Sequence, residues 1–301
     1  MTARKTHPMT STLRLIVPTL AGLALVGAAA AAPPVAPAPA VKPNDAVPFA
    51  AHRAVYDLKL IRSQGARNID SVRGRIVYDF TGSACEGYTL QFRQVSELES
   101  GEGGAVLSDL RSTTWEDAAA SKFRFNSENI LNDSPTQKVD GHADRASQSV
   151  SVTLSQPDNK EFKVPIGAVF PTEHMRRVIE AARAGKTILE FPVYDGSDNG
   201  EKVFNTLTVI GKAIAPGGKP PQDAAGKAPE LAHMTRWPVT ISYFEKQSEE
   251  KQQQGEQTPV YAISFELYEN GISRALVLDY NDFTLAGEMT SLEMKKQKPC
   301  Q

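Results

Sequence analysis

The sequence predicts an all-β protein with one amphipathic helix: a single large, curled or spiral-like, mostly antiparallel sheet of about 13–14 strands. Three observations predict it. Apolar and polar residues alternate with period two along most of the chain after residue 50. One stretch alone switches to a helical period, and no internal repeat divides the chain, which disfavours a propeller. The 301 residues are 41% hydrophobic and 23% charged, values that exclude a disordered or fibrous chain and a polytopic membrane protein.

The alternation starts with Ala54, Tyr56, Leu58 and Leu60, set against Val55, Asp57 and Lys59. Val72, Gly74, Ile76, Tyr78 and Phe80 repeat it against Arg73, Arg75 and Asp79, and Tyr88, Leu90 and Phe92 against Thr89, Gln91 and Arg93. Such segments are strands with one face buried and one wet. Further strands are predicted near 104–116, 120–128, 147–155, 160–165, 186–194, 201–214, 236–246, 259–269, 272–280 and 283–295. Asn270-Gly271 marks a tight hairpin, since both residues tolerate positive φ.

Between residues 172 and 184, Met175, Val178, Ile179 and Ala182 fall at i, i+3, i+4 and i+7. This spacing predicts a helix whose apolar stripe lies on the sheet, with Thr172 as its cap, Gly185 past its end and Glu173 at the positive end of its dipole. Arg176, Arg177, Glu180 and Arg183 take the other side. Residues 215–229, rich in Gly, Pro, Ala and Lys, and the polar run 247–258 read as solvated loops. Neither separates domains, because strands on both sides are needed to complete one sheet.

Three segments are expected: a signal peptide at 1–30, a Pro/Ala-rich tether at 31–48 and a single β-rich domain at 49–301. Arg4, Lys5 and Arg14 precede the apolar run Leu15–Gly27, and small residues follow with a cleavage point near Ala30. The run of about 13 residues is short of the roughly 20 that span a bilayer, so no transmembrane anchor is expected after cleavage. The full chain carries a formal net charge of −2, from 33 basic and 35 acidic residues. Without residues 1–30 it keeps 30 basic against 35 acidic residues, a net of −5. An acidic exported protein is a poor partner for nucleic acid or for anionic lipid bound through a basic patch. The expected location is the periplasm, the expected state a monomer, and the expected partners are envelope proteins or lipids.

The search for chemistry returns little. Cys85 and Cys300 are expected to pair in an oxidising compartment, two free thiols being the alternative. The bond would close a loop of about 215 residues and add at most roughly 5 kcal/mol on chain-entropy grounds. Asp195, Ser197, Asn199 and Gly200 match the first half of a calcium loop, but its twelfth position is Thr206 in place of the bidentate Glu. A hairpin turn is the expected reading. His52, His142, His174 and His233 lack metal-ligand spacing. His174 reads as a surface residue on the first helical turn, and His52-Arg53 as a polar pair opening a strand. No nucleophile elbow, P-loop or dinucleotide fingerprint is present, and Ser248-Glu-Glu-Lys251 sits in a solvated run without companion motifs. Trp115, Trp237, Tyr56, Tyr78 and Phe92 are expected to fill the core. No catalytic residue, metal or cofactor is assigned.

The order of these features resembles a known family. His52-Arg53-Ala54-Val55-Tyr56-Asp57-Leu58 follows the signal segment, then come Cys85-Glu86-Gly87-Tyr88, the turn Tyr194-Asp195-Gly196-Ser197 after the lone helix, and Cys300 at the end. This order is similar to that of the EipB-like cell envelope integrity proteins over about residues 49–301. The resemblance implies a periplasmic protein with a spiral-like sheet and a disulfide carried onto Cys85 and Cys300. It also implies a role in envelope integrity under stress, with no established enzymatic activity. Two other classes of function stay open at this point. One is a carrier holding a lipid or lipoprotein acyl chain in the concave face of the sheet. The other is a hydrolase assembled from His52, His142 or His174 and carboxylates in one cleft.

Overall fold

The computed structural model describes residues 47, 49–64, 69–101, 104–245 and 257–297. The expected signal peptide, all of the tether except Val47, most of the polar run near 250 and Cys300 lie outside them. Among the described residues there are fourteen strands and one α-helix. The strands are β1 (His52–Ser63), β2 (Ser71–Ser83), β3 (Gly87–Ser100), β4 (Gly104–Glu116), β5 (Lys122–Leu131), β6 (Ser134–Arg145), β7 (Val150–Gln156) and β8 (Lys160–Val164). After α1 (Pro171–Arg183) come β9 (Ile188–Val193), β10 (Phe204–Ile210), β11 (Arg236–Glu245), β12 (Tyr261–Tyr268), β13 (Ser273–Asp279) and β14 (Phe283–Met294).

All strands belong to one antiparallel sheet, ordered β8-β7-β6-β5-β4-β3-β2-β1-β14-β13-β12-β11-β10-β9. Two meanders are joined where β1 pairs with β14, from His52 opposite Met294 to Ser63 opposite Phe283. The two ends of the sheet, β8 and β9, are consecutive in the chain, and α1 lies between them.

That connectivity forces the sheet to curl. Fourteen strands laid flat would hold β8 and β9 about 62 Å apart, at roughly 4.8 Å per strand. Val169, five residues beyond β8, bridges Val193 on β9, with Val169 N donating to Pro192 O at 2.8 Å and Tyr194 N to Val169 O at 2.9 Å. Five residues reach at most about 17 Å. The sheet therefore rolls until its edges nearly meet.

The inner face carries the alternating apolar residues. Ala54, Tyr56 and Leu58, Val72 and Ile76, Trp237, Val239 and Ile241, and Leu276, Leu278 and Leu285 form the larger core cluster with Val178, Ile179, Ala181 and Ala182 of α1. A second cluster joins Phe123 and Phe125 of β5, Val139 and Ala143 of β6 and Val150, Val152 and Leu154 of β7 to Phe170 and Tyr194. Val47 and Phe49 already pack into the larger cluster.

Several local expectations need correction. The alternation gives no strand at β6, because Ser134–Arg145 buries only Val139 and Ala143, and Gly141 takes the inner position between them. Residues 215–229 are not wholly solvated: the short 3-10 turn Ala224–Lys227 buries Ala225 in the core, and a second turn, Pro229–Leu231, buries Leu231 just beyond the segment. Trp115 is half-buried on the outer face, its Nε1 donating to Glu86 O at 3.2 Å and the Arg124 guanidinium 5.3 Å from its ring. In the β12–β13 turn only Gly271 takes positive φ, at 87°, while the side chain of Asn270 stays in the turn, its Oδ1 accepting the Ile272 amide at 3.3 Å.

The Tyr194-Asp195-Gly196-Ser197 turn shows why a glycine stands in it. Gly196 has φ 68°, and a Cβ there would come within 2.4 Å of the Phe125 ring. Gly196→Ala is expected to cost about 2–4 kcal/mol, from the left-handed backbone and the clash in the second cluster together. A melting temperature lowered by several degrees, read by circular dichroism, checks this; an unchanged melt overturns it.

Candidate functional site: a cavity beneath the helix

The N-terminus of α1 is held from a distance. Helix N-termini leave backbone donors unpaired, and Phe170 at the cap position supplies no side-chain acceptor. Pro171 has no amide hydrogen, and the His174 amide makes the first intrahelical bond, to Phe170 O at 2.8 Å. The two remaining donors, Thr172 N and Glu173 N, reach the Glu116 carboxylate at 2.7 and 2.8 Å. Glu116 ends β4 and is 2% exposed. The sequence pointed to Thr172 as the cap; Thr172 is a donor to this carboxylate instead. Beside it, Arg145 donates to Glu173 at 2.8 Å, to Ala120 O and Ile166 O at 2.9 Å each, and stacks 4.8 Å from the Phe170 ring. Gly185 follows the helix as expected, with φ 70°.

Between the first turns of α1 and the inner face lies a cavity of about 220 Å³. Phe49, Tyr78, Phe80, Leu90, Met175, Tyr243, Ile263 and Phe265 form most of its wall. Polar residues enter it from six elements or turns: His52 from β1, Thr114 from β4, Thr172 and His174 from α1, Asp195 from the turn after β9, Asn270 from the β12–β13 turn and Ser273 from β13.

The two histidines are the main departure from expectation. His174 is 3% exposed, not a surface residue; its Nε2 lies 3.5 Å from Thr208 Oγ1, and Phe191 packs edge-on to its ring. Burial, with Arg177 adding, pushes its pKa down to about 4. His52 is 2% exposed, stacks on Tyr78 and holds Ala50 O at 2.8 Å through Nδ1; burial lowers its pKa. It forms no polar pair with Arg53. Both signals were present in the sequence: His52 shares the parity of Ala54 and Tyr56, and His174 lies four residues before Val178.

Asp195 also lines the cavity, and burial raises its pKa. Its Oδ1 accepts the Ser197 amide at 2.9 Å, while Asn199 Oδ1 accepts the Glu201 amide at 3.1 Å. Thr206, the twelfth position of the calcium-like run, is buried in β10 and donates to Phe191 O at 2.9 Å. Among the described residues no hydrogen bond joins His52 or His174 to Asp195. His142 lies on β6 with Asp144 at 3.7 Å, outside this cavity, and His233 is exposed. Tyr78 lines the cavity and also packs against the larger core cluster, while Tyr56 and Trp237 are core residues as expected. Asn270 gives no site signal in the sequence, because Asn-Gly marks a turn before anything else.

A nearly closed antiparallel sheet around one internal helix, with a cavity between them, defines a β-barrel-like class of protein. A solved β-barrel-like protein of a domain of unknown function from Brucella abortus is similar, with a TM-score of 0.76 and 34% identity, covering 83% of this chain and 100% of that one. The cell envelope integrity protein EipB of Brucella abortus (strain 2308) is 36% identical over 249 residues, 83% of this chain and 85% of that protein. The EipB-like family model matches residues 43–296. The chain belongs to the EipB-like family.

Glu116 gives the site a pH signature. Burial pushes its carboxyl up to about 7, against the two amide hydrogen bonds and the charge of Arg176. A carboxyl with a raised folded-state pKa contributes stability that is full below its unfolded pKa, near 4.5, and is lost as pH rises through the folded value. Between about pH 4.5 and 7, the unfolding free energy of the wild-type protein minus that of Glu116→Gln is therefore expected to fall, by at most about 3 kcal/mol. Urea titrations at several pH values measure it, and a constant difference sinks the assignment.

Proposed function

We propose that this chain is an exported, non-enzymatic periplasmic protein that supports cell envelope integrity under stress, acting through envelope proteins or lipids. The observation that carries the reading is its 36% identity, over 83% of the chain, to a protein named for cell envelope integrity. The charged, apolar and small-residue order of residues 1–30 supports export. Among the described residues no helix is long and apolar enough to cross a membrane. The site geometry supports binding or scaffolding over acid–base chemistry, since each cavity histidine is held by a neighbour other than Asp195. The second reading, a carrier for a lipid or lipoprotein acyl chain, draws support from the apolar cavity wall and is limited by its volume of about 220 Å³.

A Cys85–Cys300 disulfide is part of this proposal. Cys300 is outside the described residues, but Gln297, three residues earlier, donates through Nε2 to Gly82 O at 3.0 Å and to Phe49 O at 2.7 Å. Three residues reach at most about 10 Å, and Gly82 stands three residues before Cys85. Among the described residues no cysteine is free. Such a staple ties the end of the chain to the turn after β2.

Loss of the gene is expected to sensitise cells to detergent and to cell-wall antibiotics, with rescue by the whole chain and none by a version lacking residues 1–30. Cys85→Ser and Cys300→Ser should rescue only in part, through lower protein abundance, and non-reduced peptide maps should contain the linked pair. Alkylation of both thiols without reduction overturns the disulfide. If His174→Gln or Asp195→Asn abolishes rescue at unchanged abundance and melting temperature, an enzymatic reading takes first place.

A further inference from the structure

One ring nitrogen in the cavity wall has no partner. His52 opens β1 with the inward parity of Ala54 and Tyr56, lines the cavity and is 2% exposed. Its side chain makes one hydrogen bond, from Nδ1 to Ala50 O at 2.8 Å. A carbonyl oxygen can only accept, so Nδ1 carries the proton. Burial pushes the pKa of the ring below the ordinary histidine value, which keeps it neutral near pH 7. A neutral imidazole with its proton on Nδ1 presents a bare lone pair at Nε2.

Two observations place that lone pair in the cavity. Nε2 sits at the tip of the ring, away from Cβ, and the side chain points inward, stacked on Tyr78 at 5.6 Å between centroids and 6.1 Å from Phe80, both wall residues. Nε2 is also open to space. Among the described residues, the buried side-chain atoms that are closed to solvent and lack a partner are Asn129 Oδ1, Asp223 Oδ1 and Asn270 Nδ2. His52 Nε2 lacks a partner but is not closed, so a water-sized molecule reaches it. Folds satisfy nearly all interior polar groups, and an acceptor left open to a void marks a place for a donor that the chain does not supply.

The rest of the wall sets the chemistry of that donor. Phe49, Tyr78, Phe80, Ile263 and Phe265 make it apolar and largely aromatic. No lysine or arginine lines it, so an anion would find no countercharge. A cation would depend on Asp195, whose Oδ1 is taken by the Ser197 amide and which no hydrogen bond joins to His52. A charge without a partner is costly to bury. A hydroxyl meets the lone pair without bringing in a second polar group, as an amide would. Size sets the rest. A cavity of about 150 Å³ holds benzene, with six non-hydrogen atoms. On that scale, the cavity of about 220 Å³ holds about nine.

We propose that the cavity beneath α1 is a binding site for a small uncharged alcohol, an apolar body of about eight carbons whose hydroxyl donates to His52 Nε2. Its existence does not depend on the envelope role.

The probes share one skeleton of about nine non-hydrogen atoms: octan-2-ol, octan-2-one and octan-2-amine. Titrated into the purified protein at pH 7 and followed by calorimetry and thermal melting, octan-2-ol is expected to bind and to raise the melting temperature by about 2–4 °C near saturation. Octan-2-one can only accept, and should bind about fivefold to tenfold more weakly, because it sets a lone pair against a lone pair. Octan-2-amine, charged at this pH, should bind at least about tenfold more weakly. His52→Phe keeps a ring and removes Nε2, and should bring the alcohol and the ketone to within about twofold of each other. Nitrogen-15 NMR of the wild-type protein labelled at histidine keeps the test decisive if that variant fails to fold. His52 should carry its proton on Nδ1, and its Nε2 signal should move on addition of octan-2-ol while the signals of the exposed His142 and His233 stay in place. No binding of octan-2-ol up to its solubility, equal or tighter binding of the ketone or the amine, a preference for the alcohol that survives His52→Phe, a His52 proton on Nε2, or an unmoved Nε2 signal overturns the site. A crystal structure grown with octan-2-ol in which a water, and not the ligand hydroxyl, donates to His52 Nε2 overturns it as well.

Discussion

The connection from β8 to β9 constrains everything else. Those strands are the two ends of a fourteen-strand sheet, yet Val169 bridges Val193 only five residues after β8 ends. A short tether between two far edges leaves the sheet one solution, to roll until they approach. Rolling also answers the sheet's other difficulty. Its inner face carries a continuous apolar surface, and a single sheet has no second sheet to cover it. The curled sheet covers itself, and the thirteen residues of α1 fill the middle. Near closure limits the exposure of β8 and β9 as edges, and the bridge at Val193 takes up part of the β9 edge.

The helix is also the joint between two core clusters. Its apolar stripe, Val178, Ile179, Ala181 and Ala182, packs with β1, β2 and β11–β14, while Phe170 just before it packs with Phe123 of β5. Glu116 and Arg145 hold that joint from the sheet, one by the helix amides and the other by Glu173 and two carbonyls. Neither interaction is local in the chain: 56 residues separate Glu116 from Thr172. The cavity lies at this joint because the first turns of the helix are fixed by polar anchors at their end, while the apolar stripe seats itself further along. Space between the anchors and the stripe is left to Phe49, Tyr78 and Phe265 on the wall.

What could be read from the sequence follows from the range of each interaction. Alternation marked β1 and β2 plainly, because Ala54, Tyr56, Leu58, Val72 and Ile76 all face one core. It failed at β6, where the inner positions are Val139, Gly141 and Ala143 and the sheet, not the side chains, makes the strand. The stripe at i, i+3, i+4 and i+7 found the helix, and Gly185 found its end. Its start was misassigned to Thr172, since a cap arriving from another strand leaves no mark near the helix. His174 carries two opposing signals: its spacing to Val178 puts it on the buried face, while the neighbouring Arg176 and Arg177 mark a solvated one. Asp195 and Asn270 reach the cavity from turns, and turn residues advertise backbone geometry before anything else.

Near neutral pH the interior offers little of what proton transfer needs. A general base works best with a pKa near the working pH and a partner in hydrogen-bond reach. His174 is held down to about 4, His52 is lowered by burial, and the Asp195 carboxyl is engaged with the Ser197 amide. The one carboxyl poised near 7, Glu116, is spent on the helix amides. The same wall is suited to holding something uncharged. Its volume of about 220 Å³ falls well below the roughly 400 Å³ that a sixteen-carbon chain would need on the benzene scale. The polar anchors of α1 thus hold the first helical turn over the cavity, through contacts that stabilise the fold itself.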